Sequence, residues 1–383
     1  MAKLGDICTI YSGTGFPVQY QGTAEGQYPF YKVGDIAKNV TAGNKYLVFC
    51  ENYVEADIVK IIKGTVLPSR TVVFAKIGEA VKLNRRAITS CECLIDNNAM
   101  GIAPNESVLT LDYFFHYMCS LRLETLAEAT TVPSVKKSLI EKLDIPLPSL
   151  LEQEKISTML NKVSELITLR KEQLAKLDQL VKSRFIELFG DQETNPFGWT
   201  QCTVGECCTL KSGTSLSAEV ENEGGPIPYV KVGDMNYPGN ERYITTSSRY
   251  VSEATAGKGI FEVGSILFPK RGGAIGTNKK RMTKLPICAD LNVMGVSSNG
   301  QLLPEYLLAY FDMIDLGALS DGSSVPQINN KNIAPLVICV PPMELQKQFA
   351  AFVEETDKSK LAIQQSLDKL EKLKKSLMQE YFG

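Results

Sequence analysis

Apolar residues recur in steps of three, four and seven along two stretches of the chain that lie 193 positions apart. The first stretch covers residues 157–190, and the second covers residues 350–383. Both lack proline and interior glycine, and both contain many Leu, Lys and Glu residues. This spacing places one apolar stripe along one face of a helix, so each stretch predicts an amphipathic helix about 50 Å long.

A long helix with an apolar stripe needs a partner, because such a helix is not stable alone in water. We predict that the two stretches pack against each other as an antiparallel coiled coil with imperfect seams. The predicted seam residues are Leu160, Val163, Ile167, Leu174, Leu177, Val181 and Leu188 in the first helix, and Val353, Ile363, Leu367, Leu370, Leu377 and Tyr381 in the second. A solvated linker helix is the alternative, but it would not explain the duplication.

The segments before the two helices also repeat. Residues 5–16 correspond to residues 205–216, and Lys-Val-Gly-Asp occurs at both 32–35 and 231–234. Short apolar runs broken by Gly, Ser and Pro are typical of strands and tight turns, so the fold class is predicted to be α+β. We expect two similar strand-rich domains, each followed by a long helix. The predicted boundaries are 1–150 for the first domain, 151–195 for its helix and linker, 196–343 for the second domain and 344–383 for its helix.

Charge is nearly balanced over the whole chain but not along it. The 41 basic and 43 acidic residues exclude a uniformly basic nucleic-acid coat. Two equivalent loops nevertheless concentrate cations and contain few acids, which favours contact with phosphates. The candidate DNA-binding residues are Lys32, Lys76, Lys82, Arg85, Arg86, Lys231, Lys270, Arg271, Lys279, Lys280 and Arg281. Solvated surface charge is the alternative for each of these residues taken singly.

Lys32 and Lys231 belong to the repeated Lys-Val-Gly-Asp motif. For its glycine and aspartate we expect a turn with the glycine at positive φ.

No motif for catalysis is present. The sequence lacks the G-x-x-x-x-G-K-[ST] loop of ATP-binding proteins and the cofactor loop and Asn-Pro-Pro-aromatic tetrad of an adenine methyltransferase. Its one histidine, His116, falls in an apolar helical pattern without a partner motif, so a core or surface residue is favoured over a catalytic base. Ten dispersed cysteines without a C-x-x-C pair do not indicate a zinc site, and we expect reduced thiols. No signal peptide and no apolar run of roughly 20 residues is found, so we expect a cytoplasmic protein without a membrane anchor.

Four motifs in order resemble the specificity subunit of type I restriction-modification systems. They are GDICTIYSGT from Gly5, PLPSLLEQEKI from Pro146, LFGD with NPFGW between Leu188 and Trp199, and KLEKLKKSLMQEYFG from Lys369. The resemblance implies a non-catalytic subunit whose two target recognition domains each read one half of a split site in double-stranded DNA. It also implies that the helices set the spacing and dock two methylation subunits, with motor-nuclease subunits joining them. S-adenosylmethionine, ATP and Mg²⁺ are then expected on those partners, and no cofactor is expected on this chain.

Two other functions are compatible with parts of the sequence. An adaptor whose coiled coil joins two protein-binding domains would account for the helices but not for the basic loops. A complete methyltransferase would bind its cofactor on this chain.

Overall fold

The structure, a computed structural model, describes residues 1–127, 133–320 and 325–383 of the chain. The chain divides into two compact units. The first unit consists of Met1–Glu172 together with Gln364–Gly383, and the second consists of Gln173–Ile363. Each unit therefore combines one strand-rich domain with a part of both long helices.

The first half of the chain alternates short strands and short helices before one long helix. Its strands are β1 (Ala2–Lys3), β2 (Cys8–Ser12), β3 (Tyr28–Tyr31), β4 (Tyr46–Leu47), β5 (Tyr53–Val54), β6 (Val72–Ala75), β7 (Arg86–Thr89), β8 (Leu94–Ile95), β9 (Ala99–Pro104) and β10 (Asp144–Ile145). Its helices are α1 (Leu4–Ile7), α2 (Val33–Thr41), α3 (Ala56–Ile61), α4 (Leu111–Ser120), α5 (Leu123–Leu126), α6 (Lys137–Glu141) and α7 (Leu150–Phe189). At the start of α7 the Ser149 Oγ accepts a hydrogen bond from the Glu152 N–H at 3.3 Å, which satisfies one free donor of the first turn.

The second half repeats this order. Its strands are β11 (Thr200–Thr203), β12 (Cys208–Ser212), β13 (Ile227–Val230), β14 (Tyr243–Ile244), β15 (Tyr250–Val251), β16 (Ile266–Pro269), β17 (Arg281–Thr283), β18 (Cys288–Ala289), β19 (Val293–Ser298) and β20 (Val337–Val340). Its helices are α8 (Val204–Cys207), α9 (Glu253–Ala256), α10 (Pro304–Met313), α11 (Asn330–Ile333) and α12 (Met343–Phe382). Both long helices, α7 and α12, have 40 residues. In the described parts of the chain, no helix has the length and apolar character needed to cross a membrane.

The two domains have the same strand order. A five-stranded sheet runs β2-β9-β6-β7-β4 in the first domain and β12-β19-β16-β17-β14 in the second. A three-stranded sheet, β5-β3-β8 or β15-β13-β18, and a two-stranded pair, β1-β10 or β11-β20, complete each domain. The prediction of an α+β fold with two similar strand-rich domains is confirmed.

The central strands are buried on both faces because two separate cores cover them. In β6, Val72 and Phe74 pack in the core that contains α4 and α7, whereas Val73 packs in the core that contains Ile36 of α2. This alternation follows the two-residue period of a strand. The whole of β6 therefore reads as a continuous apolar run, and the charged residues begin where the strand ends.

The long helices pair in opposite directions within both units. In the first unit, Leu160 of α7 shares a core with Leu377 of α12, and the Lys171 Nζ lies 3.0 Å from the Glu371 Oε1. In the second unit, the rings of Phe185 and Phe349 lie 5.5 Å apart, and the Lys360 Nζ donates to the Asp178 Oδ1 at 2.6 Å. Partners on α12 thus descend in number as those on α7 rise, and the predicted antiparallel pairing is confirmed.

None of the predicted seam residues is exposed. The buried ones are Leu160, Val163, Val181, Val353, Leu367 and Leu377. The half-buried ones are Ile167, Leu174, Leu177, Leu188, Ile363, Leu370 and Tyr381. Sequence reasoning did not place three fully buried phenylalanines in the seam, Phe185, Phe189 and Phe349, which pack with Tyr306 between the helices and the second domain.

Candidate nucleic-acid interface

Two candidate lysines of the first domain lie at the same end of the domain. Lys32 directly follows β3, and Lys76 directly follows β6. Both strand ends are joined to the segment between β8 and β9, because the Asp96 N–H donates to the Tyr31 carbonyl at 3.0 Å and the Lys76 N–H donates to the Asn98 carbonyl at 2.8 Å. Strand topology therefore brings cations that are far apart in sequence to one end of the domain.

The second domain repeats this arrangement around Lys231 and Lys270. The Asp290 N–H donates to the Val230 carbonyl at 2.9 Å, and the Lys270 N–H donates to the Asn292 carbonyl at 2.8 Å. Each domain thus has one cation-bearing end, formed by equivalent strand ends.

The repeated Lys-Val-Gly-Asp motif does not form the predicted turn. In neither copy does the glycine have a positive φ. The motif instead begins a helical turn, in which the aspartate accepts the N–H of the lysine: Asp35 from Lys32 at 2.8 Å and Asp234 from Lys231 at 2.7 Å. An acid three residues after the first position satisfies a free N–H donor of a helix start, which is why Asp occurs there.

In each domain an equivalent short segment supplies a polar side chain that contacts the lysine of this motif. The two side chains differ in charge. The Lys32 Nζ donates to the Gln21 Oε1 at 2.8 Å. The Lys231 Nζ lies 2.5 Å from the Glu221 carboxylate, which also faces the Arg249 Nε at 3.5 Å. A carboxylate therefore opposes the charge of Lys231, whereas a neutral amide faces Lys32.

The other candidate cations differ in how freely they face solvent. Arg271 is exposed. Lys82 is exposed too, but its Nζ lies 2.8 Å from the Glu79 carboxylate. The half-buried cations are Lys76, Arg85, Lys270, Lys279 and Arg281.

Three of the half-buried cations have internal partners. Lys270 donates to the Ser212 Oγ at 2.9 Å, and burial together with Arg271 lowers its pKa below the ordinary lysine value. The Lys279 Nζ is hydrogen-bonded to the Asn236 side chain, and the Arg281 Nη1 donates to a backbone carbonyl at 2.8 Å.

Two predicted DNA contacts, Arg86 and Lys280, are buried, with exposed fractions of 5% and 4%. Arg86 donates to the Leu121 carbonyl at 2.7 Å, and Lys280 donates to the Ile314 carbonyl at 2.6 Å. These carbonyls follow α4 and α10, and a cation is favoured at a helix C-terminus because the free carbonyls there carry partial negative charge. Buried side chains that bond to these carbonyls do not reach a phosphate, so the assignment of Arg86 and Lys280 to DNA contact is corrected.

Sequence reasoning missed the glutamines that attach each domain to its long helix. Gln153 near the start of α7 and Gln346 near the start of α12 are both fully buried. Their equivalent positions in the repeat were the one sequence signal available, because nothing in the local pattern indicates which backbone groups a glutamine will meet.

The described side chains form no metal site, and the one histidine is a core residue. In the described residues, no group of three or more His, Cys, Asp or Glu could hold a metal ion. His116 is buried in α4, its Nε2 lies 2.8 Å from the Asn161 Oδ1, and burial lowers its pKa to about 4. His116 is therefore a neutral core residue.

The sequence matches the family model of the type I restriction modification DNA specificity domain twice, over residues 1–179 and 196–375. The chain belongs to this family. The predicted resemblance is confirmed, and with it the prediction of a non-catalytic specificity subunit.

Relatives in the family are similar along nearly their whole length. The type I restriction enzyme MjaIX specificity subunit of Methanocaldococcus jannaschii is 21% identical, over 98% of this chain and 90% of that protein. A putative type I restriction enzyme specificity subunit of Haemophilus influenzae is 18% identical, over 98% of this chain and 94% of that protein.

Two solved structures share the fold of this specificity subunit. The crystal structure of the type I restriction-modification S subunit from M. genitalium has a TM-score of 0.57 at 16% identity, covering all of this chain and 95% of that one. A chain from a structural study of complex assembly and conformational transition of the type I system has a TM-score of 0.58 at 18% identity, covering all of this chain and 96% of that one.

Proposed function

We propose that this specificity subunit reads an asymmetric, two-part DNA site and directs methylation of adenines in it. The target recognition domains, residues 1–150 and 196–343, would each read one half-site. The observation that supports this most is that both domains carry a lysine pair on equivalent strand ends, Lys32 with Lys76 and Lys231 with Lys270. Cations gathered at one end of a domain suit phosphates on one side of a duplex.

The proposed reading mechanism separates position from sequence. Lysine and arginine contacts to phosphates hold the domain in register, and side chains in the major groove distinguish bases. The loop after β6 presents Glu79 and Lys82, whereas the loop after β16 presents Arg271 followed by two glycines. Different donors and acceptors on the same framework support two half-sites of different sequence.

The partners proposed are two methylation subunits, with motor-nuclease subunits added for cleavage of unmethylated DNA. S-adenosylmethionine, ATP and Mg²⁺ would be bound by those subunits, and assembly would take place in the cytoplasm. Several large apolar side chains on the long helices face away from the paired faces and support docking of protein partners there. They are Leu151, Leu180, Ile186, Leu361 and Leu373, which are between 46% and 64% exposed.

Removal of each lysine pair tests the proposed surface. In the complex with methylation subunits, we expect Lys32→Ala with Lys76→Ala to weaken DNA binding. The dependence of log affinity on log salt should become shallower by up to about one unit per lost phosphate contact. The pair Lys231→Ala with Lys270→Ala should do the same, and methylation of duplexes altered in one half-site would show which half-site each domain reads.

The control is Lys284→Ala. This exposed lysine follows β17, whereas the loop that carries Lys270 and Arg271 precedes that strand. The control variant should leave both affinity and salt dependence unchanged. If the two lysine-pair variants and the control had the same affinity and salt dependence, the proposed surface would be contradicted. Sequence-independent binding by the wild-type complex would favour the adaptor instead.

A further inference from the structure

Residues 76–85, between β6 and β7, form the cation loop of the first domain, and this loop is joined to the end of α4. Asn84 ends this loop with a φ of 54°, a left-handed conformation that asparagine tolerates better than most residues. Its Oδ1 accepts the Leu123 N–H at 3.0 Å, and its Nδ2 donates to the Leu121 carbonyl at 3.0 Å. Arg86 then donates to Asn84 Oδ1 at 3.0 Å and to the Leu121 carbonyl at 2.7 Å. Two of these hydrogen bonds go to Leu121, directly after α4, and a third comes from Leu123, the first residue of α5.

The second domain has a similar set of hydrogen bonds, with lysine in place of arginine. Asn278 has a φ of 53°, and its Oδ1 accepts the Leu316 N–H at 2.9 Å. Lys280 donates to Asn278 Oδ1 at 2.7 Å and to the Ile314 carbonyl at 2.6 Å. Two domains of unlike sequence thus use an asparagine, a buried cation and the residues after a helix to end the loop.

In each domain a second, less buried cation lies directly before the buried one. Arg85 lies between Asn84 and Arg86, and Lys279 lies between Asn278 and Lys280. Arg86 and Lys280 are buried, whereas Arg85 and Lys279 are half-buried. The side chain of Lys279 is hydrogen-bonded to Asn236.

We propose that Asn84 with Arg86, and Asn278 with Lys280, are positioning residues that sharpen the reading of one half-site each. They act through the loops before them, which they fix against α4 and α10, and do not themselves contact DNA. This inference rests on the proposed function, because it requires the loops to face DNA.

The test scores methylated sequences after the complex of the chain with methylation subunits has acted on a library of random DNA duplexes. Lys280→Met keeps the apolar stem but removes the donor. It should reduce discrimination about tenfold at the half-site that depends on Lys231 and Lys270, and leave the other half-site unchanged. Arg86→Met should reduce discrimination at the half-site that depends on Lys32 and Lys76, and leave the other half-site unchanged. Lys280→Arg should retain discrimination, since arginine fills this place in the first domain.

A second pair of variants covers the case in which Lys280→Met does not fold. Asn278→Gly accepts the left-handed backbone but lacks the Oδ1 acceptor, whereas Asn278→Asp keeps it. We expect loss of discrimination at one half-site in the glycine variant and retention in the aspartate variant.

Three outcomes would overturn the inference. Unchanged discrimination in Lys280→Met and Asn278→Gly would show that the loops need no such support. Equal loss at both half-sites, together with a lower unfolding temperature, would show a merely structural role. A wild-type complex that methylates without a split sequence would overturn the proposed function as well, and it is distinguishable because no substitution is needed to see it.

Discussion

Gln153 and Gln346, which are 193 positions apart, make the same three hydrogen bonds at the starts of the two long helices. Each amide oxygen accepts the N–H of the residue that precedes the domain's main helix, and each amide nitrogen donates to two carbonyls. The partners are the Thr110 N–H (2.8 Å), the Val108 carbonyl (2.9 Å) and the Pro148 carbonyl (3.0 Å) for Gln153, and the Leu303 N–H (2.7 Å), the Gln301 carbonyl (3.0 Å) and the Pro341 carbonyl (2.9 Å) for Gln346. One side chain thus attaches α4 to α7, and the other attaches α10 to α12.

Replacing either glutamine with leucine should be costly, because three backbone groups bonded to a fully buried side chain would lose their partner. We expect Gln153→Leu and Gln346→Leu each to lower the free energy of unfolding by about 3 kcal/mol, measured by denaturant titration. Gln348→Leu, at an exposed position of α12, is the control and should change it by less than about 0.5 kcal/mol. Similar losses in all three variants would mean that leucine itself, and not the missing bonds, causes the effect.

The single histidine gives a direct measure of how the first domain packs on α7. Burial lowers the pKa of His116 to about 4 from its usual 6.5; Lys45 and Lys374 act in the same direction, while Asn161 and Asp112 oppose it. The unfolded chain therefore takes up a proton near pH 6.5 that the folded chain accepts only near pH 4. Stability contributed by neutral His116 should be complete above pH 6.5 and lost as the pH falls to about 4.

Nuclear magnetic resonance of the one imidazole would test this, and a midpoint near 6.5 would contradict it. In His116→Gln, which can still bond to Asn161, the free energy of unfolding should vary less between pH 4 and 6.5 than in the wild type.

Glu221, whose carboxylate pairs with Lys231, should weaken DNA binding by the second domain. Under the proposed function, Glu221→Gln removes one negative charge from the cation-bearing end and frees Lys231 and Arg249. Affinity should rise, and its salt dependence should steepen by up to about one unit. Gln21→Glu should have the opposite effect through Lys32.

Glu219→Gln provides the matched control, because this exposed acid lies in the same segment without an observed ion pair. If it increased affinity as much as Glu221→Gln, net charge alone would explain the result.

The internal repeat made much of the fold predictable, and in the long helices it runs without a gap at an offset of 193 positions. Leu160 and Val353 occupy the same place in the two stretches, and both are buried against a partner helix. A long helix with one apolar face has few ways to bury it, so two copies in one chain suffice to predict pairing. The strand ends that carry Lys76 and Lys270 were predictable for a similar reason, because a buried apolar run must stop where charges begin.

The charge pattern of the sequence could not distinguish the cations that are buried from those that face solvent. Within Arg85-Arg86 and Lys279-Lys280, the second residue is buried because a helix C-terminus more than 30 positions away supplies the carbonyl. The prediction of a turn at the Lys-Val-Gly-Asp motif was wrong for a related reason, since Gly and Asp are common both in turns and at helix starts. Tertiary contacts thus decide the burial of the cations, and the local bond from the lysine N–H to the aspartate accompanies the helix start.

The first domain should depend on residues 364–383. Leu377 is buried in its core, and the Phe382 ring lies 5.0 Å from Tyr113 and 5.9 Å from Tyr117. Deleting residues 364–383 should therefore raise amide hydrogen exchange throughout residues 1–172, while the domain within residues 173–363 keeps its protection.

Two point variants refine this experiment. Leu377→Ala should destabilise the first unit by about 3 kcal/mol, because it leaves a cavity in the core. Leu373→Ala, at a 46% exposed position one turn away, should change little. Normal protection of residues 1–172 after the deletion would contradict the dependence.

Core partners so far apart in sequence also impose an order of events during synthesis. Leu160 and Leu377 belong to one core, yet at translation rates of about 5–20 residues per second the ribosome adds the second roughly 10 to 40 s after the first. Throughout that interval the first domain is present on the nascent chain with the apolar face of α7 uncovered. The domain that is made first is thus completed last, and a chaperone able to cover that face would protect it from aggregation until α12 emerges.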